Sequence, residues 1–64
     1  MHEEATLKAA YEAASVAYRR IADKNATRLA MGELPTVEEL QREDDAQNRL
    51  AIARRAYMNW LSEL

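Results

Sequence analysis

Residues 31–39, Met31-Gly32-Glu33-Leu34-Pro35-Thr36-Val37-Glu38-Glu39, decide the fold. Gly32 is the chain's single glycine and Pro35 its single proline. A glycine just past a helix C-terminus adopts the left-handed backbone that ends the helix at little steric cost. Pro35 has no amide hydrogen to donate and drives Leu34 away from helical geometry, so no helix runs through it. Thr36 and Glu39 then stand in Thr-x-x-Glu spacing, a capping box in which each side chain satisfies the other's backbone amide. The stretch predicts a first helix over about 3–31, a turn over 32–35, and a second helix over about 36–64, regular from Val37. Glu3 and Glu4 in the first turn and Arg28 in the last complement the dipole of the first helix. A connection this short makes the helices antiparallel neighbours, so the fold class is all-α, an antiparallel two-helix hairpin. A DNA-reading helix-turn-helix is excluded, because that unit uses shorter helices and a third one to support them.

At about 100° per residue, Leu7, Tyr11, Ala14, Tyr18, Ile21, Asn25 and Leu29 share one stripe of the first helix. Ala46, Leu50, Ala53, Tyr57, Trp60, Leu61 and Leu64 share one on the second. Folding at the turn pairs Leu7 with Trp60, Tyr11 with Tyr57, Ala14 with Ala53, Tyr18 with Leu50 and Ile21 with Ala46. The same register sets Lys24 against Glu43, Arg28 against Glu39 and Glu12 against Arg55. Surface ion pairs contribute under about 1 kcal/mol each, so these set orientation more than stability. Asn25, a polar residue within the apolar stripe, is expected to fix the register, as single polar core residues do in coiled coils.

Sixty-four residues make one domain with little core, and cysteine is absent, so neither a disulfide nor a thiolate ligand is available. Alanine recurs every fourth residue at Ala5, Ala9, Ala13 and Ala17, and Val16 sits beside that row. Ile52 and Ala56 hold a similar place on the second helix. Apolar residues away from the main stripe predict a second covered face, with Ala9, Ala13, Val16, Ile52 and Ala56 as the candidate protein interface. A lone hairpin offers one seam against the entropy of ordering the whole chain, so dimerisation into a four-helix bundle is expected.

Chemistry is sparse. His2 is the only histidine, beside the chain start, and Glu-x-x-His pairs are missing, so neither metal nor cofactor is expected. Ser15 and Ser62 have no base at helical spacing, which removes a serine nucleophile. Glu38, Glu39, Glu43, Asp44 and Asp45 open a helix, where acids are favoured for electrostatic reasons alone. The chain is not expected to be an enzyme. Nine basic against eleven acidic residues give a net charge of −2, which argues against nonspecific nucleic-acid binding through bulk charge. No signal sequence or apolar run of membrane-spanning length is present, so a cytoplasmic location is expected. Met1 and the apolar ending Trp60-Leu61-Ser62-Glu63-Leu64 read as a whole short protein.

Arg19 and Arg20 on the first helix and Arg54 and Arg55 on the second are the candidate nucleic-acid contacts, a basic band across one face of a bundle. In length and layout alone the chain resembles the Rop-like dimeric helical hairpins that bind structured RNA, a resemblance that implies an RNA-binding alternative. No aromatic residue stands among these arginines to stack on bases. The leading expectation is a protein-interaction module, a small regulator, adaptor or inhibitor that binds itself and another protein. A structural accessory subunit of a larger complex is the third reading.

Overall fold

A computed structural model describes residues 2–64; Met1 and the side chain of His2, for which no metal role is expected, lie outside the described part. Two helices, α1 (His2–Ala30) and α2 (Val37–Ser62), pack against each other as a hairpin. The molecule is a rod of 48 × 15 × 15 Å, close to the length of α1 alone at 1.5 Å rise per residue. No helix is long and apolar enough to cross a membrane among the described residues.

The turn forms as its residue types require. Gly32 has φ +83°, the Glu33 amide donates to the Arg28 carbonyl at 2.8 Å, and the Gly32 amide donates to the Leu29 carbonyl at 3.0 Å. This is the Schellman arrangement, which satisfies carbonyls that the helix end leaves without partners. An ion pair between Arg28 and Glu33 (3.2 Å) stands where a hydrophobic contact usually closes that motif. At the start of α2, Thr36 Oγ1 accepts from the Glu39 amide and Glu39 Oε1 accepts from the Thr36 amide, both at 3.1 Å. The capping box is complete.

The seam is thin. Among the described residues only Asn25 (5 % exposed) and Ala46 (7 %) are buried, and no side chain is fully enclosed. Half-buried residues continue the line: Leu7, Tyr11, Ala14, Tyr18, Ile21 and Arg28 on α1, with Ser15 and Ala22 half-buried beside it, and Glu39, Glu43, Leu50, Ala53, Tyr57 and Trp60 on α2. Steps along both rows alternate between four and three residues, the seven-residue repeat of a supercoiled pair. The Tyr11 and Tyr57 rings meet with centroids 6.1 Å apart and planes inclined at 54°.

The straight stripes need three corrections. Leu29 is exposed, and Arg28 takes its place in the seam; Leu61 and Leu64 are exposed as well. A seven-residue repeat on a 3.6-residue helix drifts about 20° per heptad. By the last turn of α1 that drift has carried the contact line from Leu29 to Arg28. The helices also end earlier than expected, at Ala30 and Ser62.

Candidate functional site

The turn end of the hairpin is a polar lock centred on Glu39. Its carboxylate closes the cap on Thr36 and pairs with Arg28 of α1. Its carbonyl accepts from Asn25 Nδ2 at 3.5 Å, and the same amide donates to Glu43 Oε1 at 3.2 Å. The register-fixing place expected for Asn25 is thus occupied by a hydrogen-bonded, buried side chain. Glu43 turns to Asn25, and neither Lys24–Glu43 nor Glu12–Arg55 forms an ion pair among the described residues.

Hydrogen bonding to the Thr36 amide, then to Arg28, pulls the Glu39 carboxyl down from its ordinary 4.5 to about 2. The sign of the linkage follows: a depressed carboxylate contributes stability that is complete above the unfolded value and fades as pH falls through the folded one. Thermal melts should show wild type above Glu39→Gln at neutral pH, with the gap closing between about pH 4.5 and about 2. A gap that stays constant across that window would mean the lock does not stabilise the fold through its charge.

Along the rod the seam separates two unlike flanks. On one, Ser15, Gln47, Ala51 and Arg54 border a shallow cleft with Tyr11, Tyr18 and Leu50. Steps of seven from these residues reach Leu29 on α1 and Val37, Leu40, Met58 and Leu61 on α2, all exposed large apolar side chains. Its charges are Lys8 and Arg54 in the inner row, and Glu12, Arg19 and Asp44 along the outer edge. We call this the apolar flank.

The opposite, basic flank carries a groove of about 400 Å³ lined by Ala13, Ala14, Ala17, Ile21, Arg42, Asp45, Ala46 and Arg49. A hollow of about 60 Å³ beside it is lined by Lys24 and Arg42 together with Ile21, Asn25 and Glu39. Arg20, one heptad beyond Ala13, lies on the same lip. Among the described residues every ion pair within 4.0 Å involves Arg28, so the cations of this flank and Asp45 have none.

The residues singled out from sequence are distributed rather than gathered. Ala13 lines the basic groove. Ile52 and Ala56 share a hollow on the outside of α2 with Arg55. Val16 lies with Tyr11, Glu12 and Ser15, and Ala9 is exposed on the outer face of α1. Ile52 and Ala56 lie one heptad beyond Asp45 and Arg49 of the basic groove, and no one hollow holds all five residues. Nor does one hold the four arginines: Arg19 and Arg54 fall on the apolar flank, Arg20 on the basic one, and Arg55 on the outside of α2. Sequence reasoning missed Arg42 and Arg49 as a pair, although their spacing of one heptad was available to it. No group of three or more metal-ligating residues is present among the described residues. No protein-family model, curated protein or solved structure matches the chain.

Proposed function

We propose that the chain is a non-enzymatic protein-interaction module that dimerises through its apolar flank into a four-helix bundle and acts by occupying a partner's surface. The observation that carries this reading is surface area. The hairpin exposes 5260 Å², whereas a folded monomer of 7.3 kDa exposes about 4,200 Å² by the usual scaling. The excess, roughly 1,000 Å² per chain, matches what one partner buries in the smaller obligate homodimers. Leu29 and Leu40 near the turn, and Met58 and Leu61 near the chain ends, supply an apolar surface of the kind a bundle covers.

Light scattering over a dilution series tests this at once. The expected mass is that of two chains, unchanged by moderate salt, because apolar burial is not screened as surface charge is. A folded, concentration-independent monomer would overturn the bundle.

A further inference from the structure

We infer that the basic flank is the docking groove for an acidic amphipathic helix of a partner protein, contributing small apolar side chains to the groove floor and carboxylates to its lips. This rests on the reading of the chain as an interaction module and names the class of partner.

The floor is alanine: Ala13, Ala14 and Ala17, with Ile21 at one end. Nothing longer than a methyl group stands between α1 and an incoming backbone over that stretch, and helices packed through small residues approach closely, near the short end of the 8–10 Å range of axis separations. The lips are cationic. Arg42 and Arg49 line one side, one heptad and so about 10.5 Å apart along the axis. Lys24 and Arg20 mark the other; the acids nearby are Asp45 in the groove, Glu38 one heptad before it, and Glu39, which is already paired with Arg28. A partner helix repeats its side chains on the same seven-residue period, so acids spaced by seven meet both arginines while the stripe between them enters the floor. Covering the groove also removes water from those contacts, which strengthens them over open surface pairs.

Two other occupants fit less well. A second copy of the chain sets the four cations of one groove against the four of the other, so charge directs self-association to the apolar flank instead. A nucleic-acid backbone answers the cations but brings phosphates to an apolar floor, leaving the alanines and Ile21 uncovered. The groove has both characters, and an acidic amphipathic helix matches both.

The probe is a synthetic 21-residue helical peptide with an alanine–leucine stripe flanked by glutamates seven residues apart. Controls are the same peptide with lysine in place of glutamate, and an RNA stem-loop. Binding to the full chain is followed by fluorescence anisotropy, with the protein's mass read by light scattering in the same samples. The expected result is saturable binding of the acidic peptide alone, weakened at least tenfold by Arg42→Glu with Arg49→Glu and several-fold by Arg42→Gln with Arg49→Gln. Helicity and mass should stay as in wild type, because both arginines are exposed. A second probe of the floor, Ala17→Leu, should weaken binding without changing charge.

Equal affinity for the acidic and basic peptides, binding of the RNA alone, or indifference to both arginine pairs would each overturn the groove. None of these outcomes alters the mass, so the groove and the dimer fail separately.

Discussion

Leu40→Glu combined with Leu61→Glu is expected to reduce the mass in solution from two chains to one and to lower helicity with it. Both leucines are exposed in the hairpin itself and make no part of its seam. In a free hairpin the substitutions would thus fall within the ±0.5 kcal/mol typical of surface changes. Position 40 lies in the first turns of α2, where the helix dipole favours a carboxylate, so local propensity alone predicts a neutral or slightly favourable change there. Under a covering partner the same carboxylates lose water without gaining a counter-ion, at a cost of several kcal/mol. A protein this small has only about 5 kcal/mol of stability to lose. Dissociation should therefore carry unfolding with it, since among the described residues no side chain of the single hairpin is fully enclosed. Ile52→Glu, on the outside of α2, serves as the control and should leave the mass at two chains. If the double variant remains a stable dimer, the apolar flank is not the interface.

Tyr57→Ala is expected to be the most destabilising single truncation in the seam, at about 2–4 kcal/mol, below the range for fully buried aromatics because Tyr57 is only half-buried. The ring faces Tyr11 across the hairpin at 6.1 Å, and tilted aromatic pairs add about 0.5–1.5 kcal/mol beyond area. Denaturant titration of Tyr11→Ala, Tyr57→Ala and the double variant separates the two contributions. Strictly additive losses would show that the rings contribute area and no specific pairing. In a chain of this length the single change should lower Tm by more than about 10 °C, since each kcal/mol shifts Tm by about 4–8 °C.

The four residues that decide the turn act within a few positions of themselves, which is why they are legible without coordinates. Gly32 supplies positive φ, Pro35 blocks helix propagation, and Thr36 with Glu39 closes a cap within four residues. Each device is local, so its physics is contained in the residue type and its spacing. The register was legible for a related reason. A short turn leaves the two helices one way to lie, and two independent pairs, Tyr11 with Tyr57 and Arg28 with Glu39, both answer to it.

The flanks were not legible in the same way. Helical periodicity measures angle around a single axis, and a residue's side of the seam depends on where the second axis lies. Supercoiling moves that contact line steadily around each helix. Leu29 and Arg28 exchange roles for this reason, and Lys24 joins Arg42 beside the seam instead of facing Glu43. Of the candidate interface of Ala9, Ala13, Val16, Ile52 and Ala56, Ala13 lines the basic groove, Ile52 and Ala56 share another hollow, and Val16 lies in a third. Only packing gives direction.

What the sequence by itself determined is the pair of helices, the place and chemistry of their turn, and the register in which they meet, because those follow from local backbone preference and chain connectivity. What only the tertiary structure decided is the division of the surface into an apolar flank around Leu29, Leu40 and Leu61 and a basic groove around Arg42 and Arg49, because the side a residue faces is a property of two axes together and is encoded in neither helix alone.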